Sequence, residues 1–199
     1  SPGEELLVPG PTWPNYETQA TLADGTFREV PMPAETGFAL DADRVIDAMS
    51  DDTAAVVLTT PSNPTGRVFD RDECRAVVEA AADRDAYVIA DEVYLGLTYD
   101  GPAEGIAAYT GGPDHVLTVG SCSKRYAMTG WRLGWLAGDP AVIDEVATVR
   151  ESTTACASSV AQHAAIAALT GPREPFEEMY RAFEERRDLV VDRIAEIEG

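Results

Sequence analysis

The sequence predicts an α/β fold, a three-layer α/β/α arrangement around a mainly parallel sheet. Three observations point there. Short runs rich in Val, Ile, Leu or aromatic residues recur along the 199 residues, each of strand length. Helix-length segments lie between them, the spacing expected of βαβ units. The strand-like runs are apolar almost throughout rather than alternating, as befits a sheet covered on both faces. A chain of this length can bury one sizeable core.

Taken in order, strands are predicted at 5–8, 27–30, 54–59, 86–90, 115–119 and 133–137. A helix is predicted over Arg71–Ala82, where Cys74, Val77, Val78 and Ala81 fall at helical spacing behind a cap at Asp70. Cys74 reads there as a small core residue. Asp139 followed by Pro140 is the cap-then-proline start of a helix running to about residue 150. Residues 175–197 place Phe176, Met179, Tyr180, Phe183, Val190, Ile194 and Ile197 on one face, with Arg and Glu opposite, as in a long amphipathic helix. Residues 1–172 are therefore expected to form part of one domain, with 173–199 a long helix leading out of it. Both ends are expected to be cut, since Ser1-Pro2-Gly3 runs straight into a strand and the last helix runs out at Gly199.

Composition narrows the classes of function. Asp and Glu number 35 against 15 Lys and Arg, for a formal charge of −20 and a pI near 4.2. Such a surface repels phosphate backbones, which argues against nucleic-acid binding. No apolar run approaches the roughly 20 residues that span a bilayer, so no membrane partner is expected. The acid is scattered (Asp41, Asp43, Asp47, Asp51, Asp52, Asp70, Asp72, Glu73) rather than gathered in a tail, and counter-ions relieve its self-repulsion. A halophile-type cytoplasmic protein is expected. Cys74, Cys122 and Cys156 form no CxxC pair and fit a reducing compartment. His115 and His163 read as structural, and no metal site is expected.

The basic residues are more pointed. Fourteen are arginine and one, Lys124, is lysine. Arginine replaces lysine as a surface cation but not as an amine nucleophile. Three predicted strands end in reactive groups: one in Pro61-Ser62-Asn63-Pro64-Thr65-Gly66, one in Asp91-Glu92-Val93-Tyr94, one in Ser121-Cys122-Ser123-Lys124. Ligands of open α/β sheets bind at the carboxyl ends of strands, so these endings can converge on one crevice. Each feature has a plain alternative: the Asn-Pro-Thr-Gly run is a common turn, Asp91 can cap a helix, Arg132 can pair on the surface, and Trp13 and Tyr94 can simply pack. Ser121-x-x-Lys124 also fits the S-x-x-K nucleophile motif of penicillin-binding proteins, but a chain with a single lysine cannot supply the accompanying K-T-G.

Together, Asn63-Pro64-Thr65-Gly66, Asp91-x-x-Tyr94, Ser121-x-Ser123-Lys124 and, eight residues after the lysine, Arg132 within Met128-Thr129-Gly130-Trp131-Arg132-Leu133-Gly134 resemble the class I/II aminotransferases. These are pyridoxal 5'-phosphate enzymes of the aspartate-aminotransferase fold. The run Pro11-Thr12-Trp13-Pro14-Asn15-Tyr16 resembles that family's loop over the cofactor ring. The resemblance implies that Lys124 forms the Schiff base with the cofactor and carries the α-carbon proton. Asp91 would pair with the pyridine nitrogen, and Tyr94 and Asn63 would donate to the phenolic oxygen. Ser121, Ser123 and Arg132 would hold the phosphate, and Trp13 would stack on the ring. It further implies amino-acid and 2-oxo-acid substrates, with carbon–sulfur lyase, decarboxylase or a non-catalytic pyridoxal-phosphate-binding regulator as alternatives on the same fold. A homodimer is implied, residues 152–159 resembling the partner-facing loop. Members are about twice this length, so the resemblance covers the central part of the large domain. The 199 residues alone are expected to keep cofactor contacts but to turn over little substrate.

Overall fold

The computed structural model describes residues 2–111 and 114–197; the expected chain ends at Ser1 and Gly199 lie outside the described residues. The strands are β1 (Glu5–Gly10), β2 (Thr26–Pro31), β3 (Thr53–Thr59), β4 (Tyr87–Asp91), β5 (Val116–Ser121) and β6 (Gly134–Ala137). They form one sheet in the order β2-β1-β3-β4-β5-β6. All neighbours are parallel except β5 and β6, which pair antiparallel from Thr118↔Ala137 to Ser121↔Gly134. The helices are α1 (Asn15–Leu22), α2 (Ala42–Ala48), α3 (Arg71–Ala82), α4 (Ile106–Tyr109), α5 (Cys122–Arg125), α6 (Pro140–Thr154), α7 (Ser159–Thr170) and α8 (Glu174–Ala195).

Strand alternation assigns each side chain to a layer. Leu7, Val56, Leu58, Val88, Ala90 and Val116 face α2, α3 and α4, meeting Val45, Cys74, Val77, Val78, Ala81 and Ile106 in the main core. Val8, Val57 and Ile89 face the other way, onto Tyr16 of α1 and the Trp13 loop. Both faces of the central strands are thus covered, and each fully buried Val or Leu contributes roughly 1.5–3 kcal/mol. The helix starts follow local chemistry. Asp70 Oδ1 accepts from the amides of Asp72 (2.8 Å) and Glu73 (3.4 Å), capping α3. Asp139 accepts from Ala141 N at 2.7 Å, with Pro140 in the first turn of α6. Asp41 caps α2, and Glu73 of α3 accepts from Ala42 N at 2.7 Å, joining the two helices.

The sheet edge at β6 depends on one missing side chain. A Cβ at residue 120 would sit 2.1 Å from the Trp135 ring, so only glycine lets that indole lie across β5. The long helix α8 is present, but its apolar stripe is not a buried one. Tyr180 packs on Tyr99 with ring centroids 5.0 Å apart and donates to Thr98 O at 2.7 Å. Further on, Leu189, Val190, Val191 and Ile194 stand exposed. The described part of the chain places no element over them.

Candidate active site

Parallel strands all finish at the same edge, and β3, β4 and β5 deliver their last residues to it together. Thr59 ends β3 and pairs directly with Asp91, which ends β4. Both point to the α1 face, two residues on from Val57 and Ile89. Ser121 is the last residue of β5 and also the N-cap of α5: its Oγ accepts from Ser123 N at 3.0 Å and donates to Leu133 O at 3.4 Å. That short helix carries Lys124 outward from the sheet edge. Cys122, between the serines, turns the opposite way and is buried against Met128 and Ala165.

Arg132 follows a 3-10 turn at Thr129–Trp131 and adopts left-handed backbone at φ 51°. Its Nη1 donates to Thr129 O at 2.9 Å, and Thr129 Oγ1 donates to Ser123 O at 3.1 Å, tying the arginine to the lysine helix. The Asn63 loop closes as a turn, with Ser62 N donating to Arg67 O at 2.8 Å and Gly66 N to Ser62 O at 2.9 Å. Turn and site readings therefore hold together, because Asn63 also faces the crevice.

All eight site residues expected from sequence converge. Trp13, Asn63, Asp91 and Tyr94 line one cavity of about 300 Å³, and Ser121, Ser123, Lys124 and Arg132 complete it. Lys124 Nζ lies 5.6 Å from the Tyr94 ring centroid. A larger open cavity of about 960 Å³ adjoins, sharing Asn63 and Tyr94 and bordered by Tyr99 and Arg187. His115 stays structural, its Nδ1 3.1 Å from Ala86 O. Among the described residues no His, Cys, Asp and Glu cluster could hold a metal ion, and no helix is long and apolar enough to cross a membrane.

Sequence reasoning missed Tyr16. Its hydroxyl donates to Asp91 Oδ2 at 2.5 Å and lies 2.9 Å from Thr59 Oγ1. Burial first, and then the Asp91 charge, hold the phenol well above its usual range, so it remains a donor. Trp13 meets the Tyr16 ring edge-on at 5.4 Å. The signal was available in part: Trp13 and Tyr16 are three apart at a helix start and so share a face. Asp91 Oδ1 accepts from Val93 N at 3.3 Å. A carboxylate offers about four acceptor positions, so Asp91 held this way keeps room for a protonated ring nitrogen.

An amine, an oriented carboxylate, a phenol, an amide, hydroxyls and a guanidinium around one small cavity at the strand ends make a class of α/β protein equipped to bind an anionic, carbonyl-bearing ligand. The donor set fits pyridoxal phosphate: Arg132 and the Ser121 and Ser123 hydroxyls suit a phosphate, and Asp91 suits a protonated ring nitrogen. The chain belongs to the class I and II aminotransferase family, whose sequence model matches residues 1–199. That family is pyridoxal-phosphate dependent. The aspartate aminotransferase of Musicola paradisiaca (strain Ech703) is 34% identical over 200 residues, covering 100% of this chain and 50% of the relative. The probable aspartate/prephenate aminotransferase of Thermus aquaticus is 38% identical over 199 residues, covering 98% and 51%. The structure of aspartate aminotransferase from Thermus thermophilus with maleate superposes with a TM-score of 0.92 at 35% identity, covering 96% of this chain and 50% of that one. The chain spans about half the length of the curated relatives it matches.

Proposed function

We propose that this chain forms the central part of the large domain of a pyridoxal-phosphate-dependent aminotransferase, which moves an amino group between an L-amino acid and a 2-oxo acid. The observation that carries the reading is the convergence of Lys124, the chain's one lysine, with Asp91, Tyr94, Asn63 and Arg132 on a single cavity. Pyridoxal phosphate, when bound, supplies an electron-withdrawing ring that stabilises charge on the substrate α-carbon. Lys124 would hold the cofactor's aldehyde group through its Nζ, and its free amine would be the base that takes up and returns a proton at the substrate α-carbon. Asp91, fixed by Tyr16 and Val93 N, keeps the ring nitrogen protonated. Tyr94 and Asn63 donate to the phenolic oxygen. Arg132 grips the phosphate with its fork of donors, helped by Ser121 and Ser123. Trp13 covers the ring.

Residues 1–172 then belong to the cofactor-binding domain, and the helix beyond 173 leads toward a second, smaller one. A homodimer working in the cytoplasm, in high salt, is consistent with the family and with a charge of −20. The test uses the full-length protein loaded with pyridoxal phosphate, screening amino donors against 2-oxoglutarate and pyruvate. Borohydride should fix the cofactor to wild type and not to Lys124→Ala. A fixed cofactor in Lys124→Ala, or no amino transfer with any donor, overturns the reading.

A further inference from the structure

Among the described residues one charged side chain is buried, that of Glu92, 8% exposed. A chain carrying 35 acidic residues has water available for the others. Taking this carboxylate out of water costs several kcal/mol unless polar groups replace the lost hydration. Burial first, and the neighbouring Asp91 charge less strongly, push its carboxyl above the ordinary range. The cost is met in one place. Glu92 Oε1 accepts the amide of Ile106, the first residue of α4, at 2.7 Å. Gly105 before it offers no side-chain cap, so Glu92 caps that turn from fourteen residues upstream of Ile106. A Cβ at residue 105 would come within 2.8 Å of Glu92 Oε2, so glycine is what admits the carboxylate.

The backbone of Glu92 is tied as firmly. Its N–H donates to Val119 O of β5 at 3.0 Å, and its carbonyl accepts from Leu95 N at 2.9 Å. That second bond closes a four-residue turn with Tyr94 in third position. Strand alternation sends Asp91 into the cofactor cavity and Glu92 to the opposite face, so this acid cannot touch the ligand. It can only hold what does.

We propose that Glu92 is a positioning residue: by joining the start of the 92–106 segment to its end, it fixes the turn that aims Tyr94 at the cavity opposite Lys124. The proposal rests on the aminotransferase reading, in which the Tyr94 hydroxyl donates to the cofactor's phenolic oxygen. A purely structural acid would govern stability alone; a positioning one also governs the protonation behaviour of the bound cofactor.

The experiment titrates the visible band of the full-length, pyridoxal-phosphate-loaded protein with pH, beside its melting temperature. Tyr94→Phe shifts the midpoint. Glu92→Ala shifts it in the same direction by at least half as much, and the double variant matches Tyr94→Phe alone because both act through one hydroxyl. Glu92→Gln keeps an oxygen for the Ile106 amide and restores the wild-type midpoint. Should Glu92→Ala fail to fold, Gly105→Ala, which drives the carboxylate off that amide, shows the same shift. A band that titrates normally in Glu92→Ala or Gly105→Ala while Tyr94→Phe is shifted overturns this proposal alone. So does a double-variant shift equal to the two single shifts added together, or a Tyr94→Phe midpoint identical to wild type. A wild-type protein with no cofactor band overturns the aminotransferase reading and this proposal with it.

Discussion

Tyr16→Phe removes a single oxygen from the interior and leaves the ring packed on Val8 and Val57. The lost bond is a charge-assisted one to Asp91 Oδ2, and the Thr59 hydroxyl loses its neighbour as well. Hydrogen bonds to charged groups contribute roughly 1.5–3 kcal/mol, so unfolding should cost about 2 kcal/mol less. The pH dependence has a definite sign. The Tyr16 phenol is raised in the folded state, so its contribution is complete below the ordinary tyrosine value of about 10 and fades as pH rises beyond it. The gap between wild type and Tyr16→Phe should be constant from pH 6 to 9 and narrow above pH 10. Urea titrations of the full-length protein across that range measure it. A difference below about 0.5 kcal/mol at neutral pH would refute the view that Tyr16 holds Asp91 in place.

Other expectations follow from the same geometry. Arg132→Ala gives up a charge-assisted phosphate contact and should weaken cofactor binding roughly 10–100-fold, while the exposed position leaves the melting temperature of the cofactor-free protein little changed. An affinity within twofold of wild type counts against the phosphate assignment. Gly120→Ala drives a methyl into the Trp135 ring and should destabilise by about 1–3 kcal/mol with a change in tryptophan emission; an unchanged spectrum and melting curve would contradict the close approach. Cys74 is buried with its thiol pushed up to about 11, and Cys122 is also raised by burial, whereas Cys156 is exposed. A thiol reagent at pH 8 should therefore leave Cys74 and Cys122 unreacted in the native protein and react with both after unfolding.

The fold was most legible where burial is two-sided. In β3 and β4 the apolar run and the strand nearly coincide, because every residue there must suit a covered face. It was least legible where pairing rather than apolarity extends a strand: β5 continues through Gly120 and Ser121 because β6 hydrogen-bonds to them. Helices α1, α2 and α7 left weak traces. Only Tyr16 and Ala20 of α1 are buried, too few to mark a stripe, and α7 is alanine-rich, without a polar face to contrast. The cavity residues were readable because reactive side chains clustered at strand ends around a solitary lysine. Tyr16 and Glu92 escaped for a different reason. Their roles depend on partners across the sheet, Asp91 seventy-five residues from Tyr16 and Ile106 beyond a loop from Glu92, and no local pattern encodes such pairings.

The shared polarity of the parallel strands also sorts charge. Asp24 precedes β2, Asp51 and Asp52 precede β3, Asp83 and Asp85 precede β4, and Asp114 precedes β5, all of them exposed at the amino edge. A strand of five or six residues separates that rim from the lysine, about 17–20 Å, which exceeds the roughly 8 Å over which salt lets charges sense one another. An anion approaching Arg132 is thus shielded from these six acids. The far rim can accumulate negative charge without taxing the chemistry at the near one.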